Sequence, residues 1–379
     1  MKHVVSFALI LSLLLPLSAH AAAPSLQPTP EITAPAAVLM EKETGTVIYE
    51  KKAHEPGFPA SITKIMTMLL IVEAIENGSL SLEDTVIASE RAASFGGSCV
   101  YLEPGEQMSV HEMLKCIAVV SANDCAVAMA EQLCGSEEGF VKLMNSRAKE
   151  LGMENTHFSN CTGLFDDDAH YTTAYDVALM SRELISHELI KDYSTIWMDS
   201  IRGGEFELSN TNKLVYWYPG CTGLKTGYTS TSRYCLSATA ERNGDEYIAV
   251  IMHSETPEKR NSEAEALLDY AFAVCRVIDL NDGSELPLLP VEMGNKSHVQ
   301  LEYGGKQRAL MPKGAEPEYE LELEKSVKAP VKKGTELGKV KVTINGEQVA
   351  ESPVIAAEDI ERIGFFGIFI KLAGSLVGL

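Results

Sequence analysis

The chain has 379 residues, of which 45% are hydrophobic and 22% are charged, a composition typical of a globular protein. That balance excludes an intrinsically disordered or fibrous chain. The formal net charge of -21 excludes nucleic-acid binding through a general basic field, so any contact with an anionic membrane has to come from apolar surface.

Residues 1–21 have the three parts of an export signal. Lys2 supplies a positive start, an apolar run extends from Val4 to Leu17, and Ala19-His20-Ala21 has the small-x-small form of a cleavage site. The alternative is a buried N-terminal helix, but the small residues end the run where a cleavage site belongs. We therefore expect an exported protein, in which residues 22–36, rich in Pro and Ala, form a linker.

Residues 37–276 carry both strand-like and helix-like patterns. Two short runs around Thr44-Gly45 predict a β-hairpin, and helical periodicity begins at Ser61 and stops at Asn77-Gly78. Further along the chain, the patterns predict helices over 110–120, 124–134, 137–151 and 173–186, strands over 222–226, 234–241 and 247–253, and a helix over 258–275. This order predicts an α+β domain in which helices pack on an antiparallel sheet.

The sequence pattern changes after this domain. Residues 277–356 alternate between apolar and polar residues, with turn signals at intervals, which predicts a separate small β-sandwich domain. Residues 357–379 carry apolar residues with polar and small residues near one helical face. Their apolar run is short for a membrane span and contains Lys371, so we expect an amphipathic helix at the membrane surface; a true span and a core helix are the alternatives.

The 8 cysteines all follow the predicted export signal, and none of them forms a C-x-x-C pair. A zinc ribbon or a thioredoxin motif is therefore not indicated. Cys116, Cys125 and Cys134 fall at apolar helical positions, where a free thiol behaves as a small hydrophobe. An exported protein is able to form disulfides, but we expect most of these thiols to be free and buried.

Ser61-Ile62-Thr63-Lys64 is the first candidate for chemistry. Ser61 and Lys64 are one helical turn apart, so their side chains reach the same face. A serine hydroxyl is a poor nucleophile unless a base takes its proton, and a lysine is such a base when burial and nearby charge lower its pKa. Alone, the motif also fits an N-cap serine with a surface lysine.

Two further motifs follow it in the chain. Ser121-Ala122-Asn123 lies in a short link between two predicted helices, where its hydroxyl and amide can project into a cleft. Lys225-Thr226-Gly227 offers a positive charge, a hydroxyl donor and a backbone that a substrate can approach closely. Alone, the two motifs also fit a helix cap and a turn, but all three in this order form the motif set of penicillin-binding proteins and class A β-lactamases.

The surrounding sequence narrows the choice. The chain resembles the D-alanyl-D-alanine carboxypeptidases of the low-molecular-mass penicillin-binding proteins, peptidase family S11. The stretches that carry the resemblance are Pro59–Thr67, Tyr101–Glu106, His157–Leu164, Tyr171–Asp176 and Tyr218–Thr229. It extends over residues 35–275, and more loosely over the β-domain and the terminal helix. The resemblance implies a β-lactamase/transpeptidase-like fold for the first domain.

The resemblance also implies a role for each motif residue. Ser61 attacks the penultimate D-alanine of the peptidoglycan pentapeptide, Lys64 takes the serine proton, and Ser121 helps to protonate the leaving amine. The implied substrate-binding residues are Asn123, Lys225, Thr226, Gly227 and Arg260, and the backbone amides of Ser61 and Tyr228 form the implied oxyanion hole. For Arg260, the alternative is a surface arginine that caps a helix.

The resemblance implies no metal and no cofactor, and it implies β-lactam antibiotics as covalent inhibitors. The nine histidines are scattered, and we expect His157 and His170 to be structural. Two positions depart from the family pattern: Ala122 stands where glycine is frequent, and Cys161 where proline is usual. With the export signal and the terminal helix, the expected location is the outer face of the cytoplasmic membrane.

Two other enzyme activities use the same motif residues. A class A β-lactamase also needs a glutamate that activates the deacylating water, and no E-x-x-L-N occurs between residues 150 and 215. A D,D-endopeptidase that cuts cross-links differs in the shape of its cleft. A binding protein with an inactive site is a third alternative, although every motif residue is present.

Overall fold

The computed structural model describes residues 28–281, 284–305, 308–344, 346–365 and 367. The predicted export signal, the first part of the linker and most of the predicted terminal helix therefore lie outside the described residues. The described chain forms an α+β domain followed by an all-β domain, which confirms the predicted fold class.

The first domain is built on a 5-stranded antiparallel sheet. Its strands, together with those of two small hairpins, are β1 (Ala36–Glu41), β2 (Val47–Lys51), β3 (Thr85–Ile87), β4 (Gln107–Ser109), β5 (Met198–Ile201), β6 (Phe206–Ser209), β7 (Cys221–Thr229), β8 (Arg233–Arg242) and β9 (Asp245–Ser254). The order in the large sheet is β2-β1-β9-β8-β7, while β3 pairs with β4 and β5 with β6. β7 is therefore an edge strand, with one side available to a ligand.

The longer helices of this domain agree with the predicted segments, whereas three helices of 4 residues each were not predicted. They are α1 (Lys64–Glu76), α2 (Glu90–Ala93), α3 (Val110–Val120), α4 (Asn123–Cys134), α5 (Glu137–Glu150), α6 (Ala174–Leu184), α7 (Lys191–Ser194), α8 (Leu214–Trp217) and α9 (Pro257–Val274). Side-chain caps fix several starts: Ser109 and Glu112 form a capping box on α3, and Thr256 accepts a hydrogen bond from the amide of Lys259 on α9.

The sheet is buried on both faces. Val38 and Met40 of β1 pack with α1, α3, α4 and α6, whereas Ala37 and Leu39 pack on the other side with α9. Alternate residues of a strand point to opposite faces, so two-sided burial explains why this strand is continuously apolar. The helical layer on the first face carries two of the three predicted motifs.

Two boundaries predicted for the first domain are wrong. The linker does not extend to residue 36, because Ile32 and Ala34 are buried and the amide of Thr33 donates to Glu263 Oε1 of α9 at 2.7 Å. This segment is part of the domain, and residue 36 already belongs to β1. Helix α1 also begins later than predicted, because Ser61 lies in a 3₁₀ turn over Ala60–Thr63.

The second domain has the predicted all-β structure. Its strands are β10 (Cys275–Asp279), β11 (Leu289–Glu292), β12 (His298–Val299), β13 (Leu301–Tyr303), β14 (Arg308–Pro312), β15 (Glu318–Leu323), β16 (Val327–Lys328), β17 (Glu336–Ile344) and β18 (Glu347–Ala356). They form sheets in the orders β13-β18-β17-β15, β12-β11-β16 and β10-β14. Val299, Val342 and Val354 are fully buried in a core separate from those of the first domain.

The terminal helix predicted from residue 357 does not begin there. Ile360 forms a β-bridge with Val331, and Arg362 forms one with Gly294, so these residues extend the β-domain. The remainder of the predicted helix lies almost entirely outside the described residues. Within the described part of the chain, no helix is long and apolar enough to cross a membrane.

The eight cysteines are all unpaired. Cys116, Cys125, Cys161 and Cys235 are buried, and Cys99, Cys134, Cys221 and Cys275 are half-buried. Burial raises the pKa of the Cys125 and Cys161 thiols well above the ordinary value, so both are protonated and unreactive at neutral pH.

Candidate active site

Lys64 is fully buried and makes three hydrogen bonds through its amine. Its Nζ lies 3.1 Å from Ser61 Oγ, 2.5 Å from Asn123 Oδ1 and 2.8 Å from the carbonyl oxygen of Thr162. The 3₁₀ turn brings Ser61 and Lys64 to one side, as their spacing predicts. The structure thus joins the first two motifs and adds Thr162, a contact that the sequence did not predict.

Burial lowers the pKa of Lys64 to about 7, although the neighbouring Cys161, Cys99 and Asp124 act in the opposite direction. A large fraction of this amine is therefore neutral near neutral pH. A neutral amine within hydrogen-bond distance of a serine hydroxyl can accept its proton. Ser61 and Lys64 consequently have the geometry and the protonation state of a nucleophile and its base.

Ser121 ends helix α3 in the left-handed region, at φ 65°. This conformation is uncommon for a residue other than glycine and is held here by the Ser121 and Ala122 amides, both of which donate to the Cys116 carbonyl. Ser121 Oγ is buried and has no partner among the described residues. A buried hydroxyl without a partner that lines a cleft is available to a substrate.

Asn123 has a more internal position than its predicted role of substrate binding suggests. Its Oδ1 accepts from Lys64, and its Nδ2 donates to the carbonyl of Gly96 at 2.7 Å. These two bonds fix the amide orientation and leave one N–H of Nδ2 for a substrate. In the free protein, therefore, Asn123 mainly orients Lys64.

Sequence reasoning missed the role of Asp124. Its buried carboxylate accepts hydrogen bonds from the amides of Val100, Leu102 and Cys125 at 2.9–3.3 Å. These contacts fix the loop of residues 98–102, in which Ser98 lines the cleft. The available signal was an acidic residue directly after Ser121-Ala122-Asn123, in the first turn of α4. Such a residue fits an ordinary role at a helix N-terminus equally well.

The third motif lies on the edge strand β7, opposite the Ser61 turn. Lys225 is buried and its Nζ donates to the Thr226 carbonyl at 2.9 Å. Gly227 is closely packed, since a Cβ there would lie 3.0 Å from the Pro59 carbonyl oxygen. This glycine therefore allows the strand to lie directly against the turn that carries Ser61.

A cleft of about 730 Å³ opens between the strand and the helices. The predicted residues that line it are Ser61, Ser121, Thr226, Gly227, Tyr228 and Arg260. Lys64, Asn123 and Lys225 lie behind this lining. Thr211, Lys213, Trp217 and Glu265 also line the cleft and were not predicted, because nothing in their local sequence marks them.

Arg260 lies in the first turn of α9, where only 6% of its surface is exposed. Its guanidinium donates to Asn261 Oδ1 at 2.8 and 3.0 Å, and burial lowers its pKa to about 10, so it remains charged at neutral pH. Burial, Lys64 and Arg260 together lower the pKa of Lys225. The charged guanidinium of Arg260 therefore makes this end of the cleft locally cationic in an acidic protein, which suits a carboxylate ligand.

The two histidines near the motifs differ in their surroundings. His157 is exposed, whereas His170 is buried and lies 2.8 Å from Thr63 Oγ1, within the turn that carries Ser61. Among the described residues, the side chains Glu73, Glu183 and His187 are close enough to hold a metal ion, but Arg147 already bridges the two carboxylates. None of these three lines the cleft.

Known proteins resemble both domains of the chain. Residues 21–256 match the peptidase S11 family model, D-alanyl-D-alanine carboxypeptidase, and residues 280–362 match the C-terminal domain of penicillin-binding protein 5. D-alanyl-D-alanine carboxypeptidase DacF of Bacillus subtilis is 43% identical over 348 residues, which are 90% of this chain and 89% of the relative.

Two solved structures add to this similarity. Penicillin-binding protein 5 from Haemophilus influenzae has a TM-score of 0.81 at 29% identity and covers 88% of this chain and 99% of its own. Penicillin-binding protein D2 from Listeria monocytogenes, solved in the ampicillin-bound form, has a TM-score of 0.59 at 32% identity, covering 65% of this chain and 100% of its own.

Proposed function

The chain belongs to the peptidase S11 family of D-alanyl-D-alanine carboxypeptidases, and on that premise we propose that Ser61 is its nucleophile and Lys64 its general base. The reaction is the serine-type removal of the terminal D-alanine from peptidoglycan pentapeptide. The observation that carries the residue assignment is the 3.1 Å separation between the buried Lys64 Nζ and Ser61 Oγ.

In the acylation half-reaction, Ser61 Oγ attacks the carbonyl carbon of the penultimate D-alanine while its proton passes to neutral Lys64. The backbone amides of Ser61 and Tyr228 stabilise the developing oxyanion. Ser121 Oγ, which has no protein partner in the described chain, relays this proton from Lys64 to the leaving amine and so returns Lys64 to its neutral form. The C–N bond breaks, D-alanine leaves, and the acyl group stays on Ser61.

The substrate is oriented by its terminal carboxylate. Arg260 provides a positive charge in the cleft lining and Thr226 a hydroxyl, while Lys225 lies directly behind them. Gly227 keeps the β7 backbone directly against the Ser61 turn. Asn123 offers its remaining N–H to the peptide backbone. In deacylation, Lys64 takes a proton from water while the water oxygen attacks the ester carbonyl carbon. The bond between that carbon and Ser61 Oγ then breaks, and Lys64 returns the proton to Ser61 Oγ.

We also propose that β-lactams acylate Ser61 and are released slowly. The relative from Listeria monocytogenes was solved with ampicillin bound, which supports penicillin recognition by this fold. A β-lactam carries a carboxylate and a reactive amide, the same two features as the peptide substrate. No further partner and no cofactor are required by this chemistry.

The location is a separate proposal, supported by the sequence alone. Residues 1–21 direct export, and the amphipathic C-terminal segment attaches the enzyme to the outer face of the cytoplasmic membrane. Attachment raises the effective concentration of the enzyme next to the wall precursors and newly inserted peptides.

The experiment is D-alanine release from a peptide ending in Lys-D-Ala-D-Ala, with the chain from residue 22 onwards. Ser61→Ala should abolish release, while Ser94→Ala, at an exposed serine outside the cleft, should leave it unchanged. Penicillin should block the wild type. Cleavage of a cross-linked dimer in preference to the pentapeptide would indicate a D,D-endopeptidase, and rapid turnover of a chromogenic cephalosporin a β-lactamase.

A further inference from the structure

His170 is buried and has both ring nitrogens paired. Its Nε2 lies 2.8 Å from Thr63 Oγ1, and its Nδ1 accepts from the amide of Ser159 at 3.0 Å. Thr63 Oγ1 already donates its only proton to the carbonyl of Ala60 at 2.8 Å, so it accepts from His170. The partners therefore fix one tautomer, a neutral ring protonated on Nε2.

The surroundings keep this ring neutral. Burial lowers the pKa of His170 to about 4, and the nearby His157 and Lys64 act in the same direction. Asp167 and Asp166 oppose the shift without reversing it. The bond that Nδ1 accepts is consequently intact at any pH at which Lys64 can act as a base.

His170 contacts the two segments that hold Lys64. One is the 3₁₀ turn of residues 60–63. The other is the loop of residues 159–163, in which Asn160 Oδ1 accepts from the amides of Thr162 and Gly163 at 3.1 and 2.6 Å. This arrangement directs the Thr162 carbonyl to Lys64 Nζ at 2.8 Å. The loop is closely packed on the turn, since a Cβ at Gly163 would lie 1.8 Å from the Ala60 carbonyl oxygen.

We propose that His170 is a positioning residue for the general base. It ties the turn that carries Ser61 to the loop that carries the Thr162 carbonyl, and so holds Lys64 Nζ within reach of Ser61 Oγ. His170 itself touches neither substrate nor the reacting atoms. This inference rests on the proposed roles of Ser61 and Lys64.

His170→Phe is the main test. A phenyl ring keeps the contact with the Phe158 ring, whose centroid lies 5.9 Å away, but it removes both hydrogen bonds. A small displacement of a catalytic group costs up to about 100-fold in rate, so we expect kcat/KM to fall about 10- to 100-fold, mostly in kcat. The acid limb of the pH profile should also move to higher pH, because a loosened loop admits water to Lys64.

Two variants serve as controls, one at His170 itself and one at the nearby His157. His170→Gln keeps one donor and one acceptor and should recover most of the activity lost in His170→Phe. His157→Phe removes the exposed imidazole of the same loop region, which does not contact the Ser61 turn, and should leave kcat/KM and the pH profile at wild-type values.

Thr63→Val tests the network from its other end, because it removes the hydroxyl that joins His170 to Ala60. It should reproduce part of the His170→Phe defect. The two substitutions together should cost less than the product of their separate effects, since both break one connection. If His170→Phe does not fold, the comparison of His170→Gln and Thr63→Val with the wild type tests the same hydrogen bonds.

Acylation of Ser61 by labelled penicillin provides a second readout. If the wild type is acylated but releases no D-alanine, the proposed reaction fails, and slower acylation of His170→Phe still supports the positioning role. The inference is overturned if His170→Phe lowers the melting temperature yet keeps wild-type kcat/KM, acylation rate and acid limb, because His170 would then only stabilise the fold.

Discussion

Asn123 Oδ1 lies 2.5 Å from Lys64 Nζ, although 59 positions separate the two residues in the chain. The acceptor is an uncharged amide oxygen, held in place because Nδ2 of the same side chain donates to Gly96. An amide fixes the amine without the negative charge that would favour its protonated form. This contact therefore helps to position Lys64 while burial keeps its pKa low.

Asn123→Asp should lower activity at neutral pH and restore it at higher pH. A carboxylate within hydrogen-bond distance favours the ammonium form and raises the pKa of Lys64 by about 1–3 units. At pH 7, kcat/KM should fall by about 10-fold or more, in proportion to the neutral fraction of Lys64. The measurement is a pH profile of D-alanine release, and an unchanged acid limb would contradict the assignment of Lys64 as the base.

The wild-type pH profile should be bell-shaped. Lys64, with a pKa of about 7, accepts a proton only when neutral, so kcat/KM falls as the pH drops below that value. Arg260 binds the carboxylate only when charged, and its pKa is about 10, so activity falls again as the pH rises towards that value. A profile that is flat from about pH 5 to 11 would show that neither group titrates in the free enzyme.

Sequence patterns predicted the long helices, the strands of the large sheet and the motif residues, because each depends on local periodicity or on a short ordered set of residue types. They did not predict the partners of those residues. The carbonyl of Thr162 is 98 positions from Lys64, and His170 is 107 positions from Thr63. Such contacts depend on how the loop of residues 159–163 packs on the Ser61 turn. The spacing of residues along a single sequence does not indicate that packing.

Arg260→Ala should weaken recognition of the terminal carboxylate. A hydrogen bond to a charged group contributes about 1.5–3 kcal/mol, so kcat/KM for a peptide acid should fall about 10- to 100-fold. A matched peptide whose terminal carboxylate is replaced by an amide should lose little between the wild type and the variant. Equal losses on both peptides would mean that Arg260 supports α9 and does not bind the carboxylate.

Asp124→Ala should destabilise the loop of residues 98–102. The substitution leaves the amides of Val100 and Leu102 without their acceptor, and an unsatisfied buried donor costs about 1–3 kcal/mol. Urea unfolding should therefore show a lower free energy of unfolding. Because Ser98 lines the cleft, KM should rise as well; unchanged stability and KM would show that the loop is held by other contacts.

The position of a C-terminal truncation should determine whether the β-domain stays stably folded. Ile360 is buried, and its amide and carbonyl pair with Val331 at 2.8 and 2.9 Å. A chain ending at residue 357 loses these bonds and a buried isoleucine, whose truncation alone costs about 2–5 kcal/mol. A chain ending at Gly364 retains both and lacks only residues 365–379 of the segment proposed to bind the membrane.

Both truncated chains should be compared with the chain of residues 22–379 in sedimentation with anionic lipid vesicles. We expect the longest chain to sediment with the vesicles and the chain ending at Gly364 to stay in solution with wild-type activity on a small peptide. The chain ending at residue 357 should show the same loss of sedimentation together with a lower melting temperature of the β-domain. So acidic a chain is not attracted to an anionic membrane by its charge, so its attachment depends on apolar surface. If the chain ending at Gly364 still sediments with vesicles, that apolar surface lies elsewhere in the protein.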